Sequence, residues 1–337
     1  MTPIVSDQHS TLRHVAEAAG VSQMTVSRAL GGRGRIASET KERVLAFAKK
    51  IGYRPDPEVA KLMHHIRVRR RRRFQSVMVG LTTRPPDDCE PYFRALVAGA
   101  EAQAVERGYG FEVVHVAPSG KNWSVVSRTL QSRGVDGVLL LPAHAPIDLS
   151  GVLEWKNFSV VSASASATGP VAHRVMPHHF ANALLLCRIL AREGRRRIGL
   201  VMSAEHDVRS EHGFTSAVMW HAANEASSAI TPLIVREPGG AQVRRWFSRE
   251  NPDAIITNEL SAALDCARSL GRKIGGPVRF VVTSLNGQDH AGISGIDERP
   301  GAIGAAAAEM LAGMIERRAR GRPGSPNTTL LNGRWVP

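Results

Sequence analysis

The run QMTVSRAL, residues 23 to 30, sorts two kinds of side chain around one helix. Gln23, Met24, Ser27 and Arg28 fall at i, i+1, i+4 and i+5 and share a face, while Val26, Ala29 and Leu30 form the opposite stripe. The polar face has the chemistry of a major-groove reader. An arginine can grip guanine bidentately, a glutamine can do the same to adenine, and Met24 can lie against a thymine methyl. Ser22, Thr25 and Ser27 carry short hydroxyls suited to phosphate oxygens near a helix start.

Such a face is useful only if neighbouring helices hold it outward, and the flanking sequence supplies them. In TLRHVAEAA, Leu12, Val15, Ala16 and Ala19 recur at helical spacing behind Thr11 as a cap. Gly20 ends that helix and Ser22 caps the next. The GGRGR connection, residues 31 to 35, precedes a third helix, SETKERVLAFAKKI, predicted to turn Val44, Leu45, Ala48 and Ile51 inward, with Gly52 as its C-terminal cap. Pro55 and Pro57 forbid simple continuation. Two short helices joined at Gly20-Val21 make a helix-turn-helix.

The charge sits where this reading needs it. Of the formal net charge of +14, residues 1–75 hold 16 Lys+Arg against 6 Asp+Glu, so the other 262 positions are nearly neutral. A basic quarter on a neutral body points to a polyanion-binding head. Cys89, Cys187 and Cys266 are scattered, which argues against a disulfide framework and a cysteine metal site. The first twenty residues lack the apolar core of a signal peptide, and no run approaches the ~18 apolar residues of a membrane span. The expectation is a cytoplasmic protein with no membrane partner. No G-x-x-x-x-G-K-[ST], H-E-x-x-H or G-x-S-x-G occurs, so no catalytic residue, metal or cofactor is assigned. Asp87-Asp88 lie in a Pro-rich loop and read as solvated surface.

From Val77 onward short apolar strands alternate with amphipathic helices. The strands are predicted at 77–81, 111–116, 137–141, 158–161, 197–202, 253–258 and 279–283, with helices over 91–108, near 181–193, near 212–224, and over 261–271 and 302–321. That alternation means parallel sheets covered on both faces, and there are enough units for two doubly wound lobes. Ligands of such folds bind at the carboxyl ends of the strands, here between the lobes.

The stretches VAEAAGVSQMTVSRAL, IASETKERV, IGYRPD, VAKLM, PYFRALVAGAEAQAVERGY, VDGVLLLP, RRRIGLV, GFTSA, PDAIITNE and GIDERPGAIGAAAAEML resemble the LacI/GalR family of transcriptional regulators over nearly the whole chain. The resemblance implies an all-α helix-turn-helix head with a hinge segment over residues 10–65, an Arg-rich linker over 66–76, and a two-lobed, periplasmic-binding-protein-like body for effector binding and dimerisation over 77–337. It implies a homodimer, acting as a repressor or activator on a near-palindromic double-stranded DNA operator. By position, Gln23, Met24 and Arg28 match the family's base readers, and Ser22, Thr25, Ser27 and Arg35 its backbone contacts. Thr40 matches a third-helix threonine, and Ala37 replaces the usual capping serine. Leu62 occupies the place of the hinge leucine that wedges into the central minor-groove step, with Ala60 and Lys61 beside it.

The same resemblance implies a small-molecule effector between the lobes, and here the sequence departs from the pattern. Ser210 stands at the family's arginine position, with Arg209 one place earlier, and His178 stands at that of an aspartate. The asparagine-aspartate pair is Asn258-Glu259, Asn286 falls in the loop Ser284-Leu285-Asn286-Gly287, and Tyr92-Phe93 keep the aromatic pair. Arginine and aspartate would grip vicinal hydroxyls with charge-assisted bonds, so their loss points either to an effector unlike a simple sugar, the reading favoured here, or to a cleft that no longer needs a ligand. The alternatives are a cytoplasmic sugar-binding protein, which should lack the head, and an enzyme on the same fold, which should show a site.

One stretch is longer than the family's. In HHIRVRRRRRF, residues 64 to 74, six arginines fill seven positions directly after the hinge. Their mutual repulsion favours an open linker in free solution, which phosphates would relieve.

Overall fold

The computed structural model describes residues 12–22, 25–26, 29, 37–50, 76–88, 90–120, 123–225, 230–236, 239–285 and 292–337. The chain divides into two units, Met1–Arg73 and Phe74–Pro337.

The first unit contains α1 (Leu12–Ala19) and α2 (Ser38–Lys50), with Thr25, Val26 and Ala29 helical between them. Its core is Val15, Ala16, Ala19, Val26, Ala29, Val44 and Ala48, with Val21 and Phe47 packed against it. One sequence expectation is corrected here. Leu45 is 44% exposed, and Phe47 takes the inward place assigned to it. Val44, Phe47 and Ala48 follow i, i+3, i+4, whereas Leu45 lies one position round the helix. Ile51, Gly52, Leu30 and the arginine run fall outside the described residues.

The second unit holds fourteen strands and eight helices among the described residues. In chain order these are β1 (Val77–Thr82), α3 (Pro91–Glu106), β2 (Gly110–His115), α4 (Trp123–Ser132), β3 (Gly137–Leu140), β4 (Ile147–Asp148), β5 (Ser159–Ser162), β6 (Ala167–Gly169), β7 (His173–Pro177) and α5 (His179–Arg192). Then follow β8 (Ile198–Ser203), α6 (Ala204–Arg209), α7 (Gly213–Asn224), β9 (Leu233–Val235), α8 (Gly240–Glu250), β10 (Ala254–Thr257), α9 (Leu260–Ser269), β11 (Arg279–Val282), β12 (Ser294–Asp297), α10 (Pro300–Arg317), β13 (Thr328–Leu331) and β14 (Arg334–Val336). Two six-stranded sheets result, ordered β13-β7-β5-β3-β1-β2 and β14-β12-β11-β10-β8-β9. Every pairing is parallel except β12 with β14.

Each sheet is buried on both faces, as its unbroken apolar strands require. In the first lobe Met78, Leu139 and Val161 face α3 and α10, while Val79, Leu140 and Val160 face Leu130 of α4 and Trp155. In the second lobe Leu200 and Ile256 pack under α5 and α7, and Val201 and Ile255 under α8 and α9. The chain passes between lobes three times: after β7, between β12 and α10, and between β13 and β14. At α3 and α10 the backbones touch. A Cβ on Gly99 would stand 2.0 Å from the Gly301 carbonyl oxygen, and one on Gly304 2.0 Å from that of Leu96.

Candidate functional site

Two places have functional geometry, one in each unit. In the head, α1 ends in a Schellman cap. Gly20 adopts φ +65°, its N–H reaches Glu17 O at 3.3 Å, and the Val21 N–H reaches Ala16 O at 3.1 Å. Val21 then joins the core, and the chain is redirected at once. Ser22 opens the next helix, its Oγ accepting the Thr25 N–H at 3.1 Å and lying 2.9 Å from Thr25 Oγ1. The buried Val26 and Ala29 fix which side of that helix faces inward. Ser22 and Thr25 thus stand together at the helix start. Gln23, Met24, Ser27, Arg28, Arg35, Ala60, Lys61 and Leu62 fall outside the described residues.

In the body, a cavity of about 110 Å³ lies between the lobes, formed where the parallel strands end. The first lobe supplies Arg84 after β1, Glu90 and Tyr92 at the start of α3, Ala143 after β3, and Ser164 and Ser166 after β5. The second supplies His206, Arg209 and Ser210 around α6, Asn258 and Glu259 after β10, and Ser284 after β11. His179 and Glu298 sit at two of the three inter-lobe crossings.

Of the residues singled out from sequence, Tyr92, Arg209, Ser210, Asn258 and Glu259 line this cavity together. Phe93 does not; it is buried in the first-lobe core beneath Arg84, whose guanidinium lies 4.9 Å from its ring centre. His178 does not line it either. It caps α5, with Nδ1 accepting the Ala181 N–H at 3.3 Å, and the next residue, His179, occupies the lining. Asn286 falls outside the described residues. Ser210 is buried and its hydroxyl already donates to Asp207 O at 3.0 Å, so it cannot replace a guanidinium.

Arg84, which carried no sequence signal, organises the first-lobe wall. It is 4% exposed, donates Nε to Pro142 O at 3.0 Å and Nη1 to Asp88 at 2.9 Å, and also pairs with Glu90. Asp88 is therefore buried structure rather than solvated loop. Burial pushes its carboxyl up, but the Glu90 N–H and the Arg84 charge outweigh that and hold it below the usual carboxylate range. Asp88, Glu90 and His144 bring ligand atoms within 4.8 Å of one another, yet both carboxylates are already committed to Arg84. That commitment argues against a cation there.

The second-lobe wall is built on Phe214. The His206 ring stacks on it at 5.6 Å and His179 leans on it at 4.7 Å. Burial first, then Arg209 and His179, push His206 down to about 3, so it stays neutral. Arg209 Nη2 then donates to His206 Nδ1 at 2.9 Å and Nη1 crosses the cleft to His144 O at 3.0 Å. A second crossing pair, Arg174 to Glu211, spans 2.6 Å. The turn that carries these groups holds Glu211 and His212 at φ 53° and 58°, pinned by Asp207, which bonds His212 Nδ1 at 2.7 Å and Thr215 Oγ1.

Three buried atoms in the lining have no hydrogen-bond partner: His179 Nδ1, Asn258 Oδ1 and Glu298 Oε1. His179 Nδ1 and Glu298 Oε1 are 3.3 Å apart but misaligned for a hydrogen bond. Polar atoms left open in a closed cleft are the mark of a site for a polar ligand. Tyr92 lines the same cavity, and burial, reinforced by Glu298, raises its phenol well above the ordinary value, so it stays a donor.

Comparisons with known proteins agree with both places. Residues 11–56 match the model of bacterial regulatory proteins of the lacI family, and residues 187–337 that of a periplasmic binding protein-like domain. The maltose regulon regulatory protein MalI of Escherichia coli K12 is 32% identical over 189 residues, covering 56% of this chain and 52% of its own. The regulator AglR of Rhizobium meliloti is 25% identical over 267 residues, covering 77% and 73%. The chain spans about half the length of the first curated relatives it matches. The structure of the regulator CelR in complex with cellobiose superposes with a TM-score of 0.60 at 23% identity, over 97% of this chain and 98% of that one, and so shares the fold. The head is thus similar to the lacI family of bacterial regulatory proteins over residues 11–56, and most of the second lobe to a periplasmic binding protein-like domain.

Proposed function

We propose that the protein is a sequence-specific DNA-binding transcriptional regulator, a repressor that binds a near-palindromic operator as a homodimer and answers to a small effector held between the lobes. The observation that carries this reading is the Gly20–Ser22 turn. It sets a helix-turn-helix on its own small core inside the basic quarter of a chain whose body ends in a ligand-sized cleft. Gln23, Met24 and Arg28 read bases, while Ser22, Thr25, Ser27 and Arg35 hold phosphates. Ala60, Lys61 and Leu62 form the minor-groove wedge. Tyr92, Arg209, Ser210, Asn258 and Glu259 contact the effector, joined by His179 and Glu298. The domain limits are 10–65 for the head and hinge, 66–76 for the linker and 77–337 for the body. No helix among the described residues is long and apolar enough to cross a membrane, consistent with work in the cytoplasm. The matched relatives are transcriptional regulators, which favours a non-enzyme.

Selecting bound fragments from the source genome tests this directly. The expected result is one recurring inverted repeat, whose affinity falls steeply with salt. Binding that is uniform across fragments would refute it.

A further inference from the structure

Glu298 is 5% exposed and lines the cleft; His179 Nδ1 stands 3.3 Å from its Oε1, yet that oxygen accepts no hydrogen bond. A buried carboxyl oxygen with no donor is short of a hydrogen-bond partner. Asn258, 9% exposed, turns an open amide oxygen to the same cavity. The unmet demand is for donors. The lining is also short of free donors: Arg84 is spent on Glu90 and on Asp88 behind it, and His179 Nδ1, 3.3 Å from Glu298 Oε1, is misaligned for a hydrogen bond. A protonated amine supplies three N–H donors and a positive charge at one atom, whereas a hydroxyl supplies one donor and no charge. The rest of the wall is hydroxyl-rich, through Ser164, Ser166 and Tyr92. At about 110 Å³ the cavity is well below the ~300 Å³ lower end of drug-sized sites, so it suits one ring rather than an oligosaccharide.

We propose that the effector is a compact polyhydroxylated amine of the amino-monosaccharide class, its ammonium group seated on Glu298 Oε1 and Asn258 Oδ1. The assignment rests on the effector reading above. Glu298 lies on the crossing between β12 and α10, so neutralising it acts at a point where the lobes are joined.

The full chain should be titrated calorimetrically with glucosamine, galactosamine and mannosamine, beside the parent hexoses and the N-acetylated forms. At least one amine should bind ten times more tightly than both its parent and its acetylated form, and Glu298→Gln should abolish that advantage. If in every pair the parent hexose equals or exceeds its amine, the assignment is overturned while the effector reading stands. The assignment also falls if every amine fails to bind. If no compound of any kind binds while operator binding persists, the effector reading falls with it. The wild-type comparisons do not depend on how the variant folds, and the variant's circular dichroism and melting confirm its fold.

Discussion

Arg84→Met isolates the buried charge cluster of the first-lobe wall. Methionine keeps the stem that covers Phe93 and deletes the guanidinium. Two carboxylates lose their partner, but unequally. The Glu90 side chain is 41% exposed, so water replaces the lost contact and its share of the cost is below about 1 kcal/mol. The Asp88 side chain is only 9% exposed, and removing one partner of a buried pair costs roughly 3–5 kcal/mol. The Glu90 N–H at 3.0 Å and His144 Nε2 at 3.0 Å remain to Asp88, which places the expectation near the lower end, about 3 kcal/mol at pH 7. The pH dependence has a definite sign. In the wild type the folded-state Asp88 carboxyl lies below its unfolded value, so its contribution is present above about pH 4 and is lost as pH falls through the folded value. In the variant the two lowering contributions of Arg84 are gone, so the carboxyl rises and this pH-dependent contribution shrinks. The stability gap should therefore narrow as pH falls from 7 towards about 4. All five tryptophans lie in the second unit, so urea unfolding followed by tryptophan fluorescence reports on the body alone. A gap under about 1 kcal/mol at pH 7, or one that stays constant with pH, would refute the reasoning.

Gly304→Ala should destabilise the body by about 2–3 kcal/mol in the same assay, because its Cβ has only the Leu96 carbonyl to enter; an unchanged urea midpoint would show that the helices can part freely. Arg28→Ala should cost ~1–3 kcal/mol of operator affinity and relax preference at one base position per half-site, read by competition with single-base operator variants. Replacing Arg69 to Arg73 with glutamine should flatten the salt dependence of DNA binding without changing the preferred sequence; an unchanged slope would leave the run as a solvated linker.

The seven strands expected from apolar runs all occur within a residue or two, because a strand buried on both faces leaves nothing but apolar positions to read. The elements not foreseen have weaker texture. β4, β6, β9 and β12 to β14 are short or partly exposed, and β7 buries only Val175, Met176 and Pro177. α4 spends Val125 on solvent, α6 is only six residues long, and α8 buries only Val243 and Trp246. In the head, Gly20 and Ser22 were legible because a left-handed cap and a side-chain cap each demand a residue type. The cleft was legible in location more than in identity. Glu298 and His179 enter it because two crossings pass there, and no local pattern marks a crossing. Arg84 was hidden for the opposite reason: an arginine beside prolines reads as surface until its carboxylates are placed around it.

The cleft ties ligand to lobe geometry through few groups. Arg209 and the Arg174–Glu211 pair span it directly, while Glu298 and His179 sit on the covalent crossings. Arg209 can hold His144 O only while His206 stays neutral and accepts its other N–H, and burial against Phe214 secures that at any physiological pH. The cross-cleft contact is thus insensitive to proton concentration, whereas Glu298 Oε1, which accepts no hydrogen bond, leaves the site open to a bound donor.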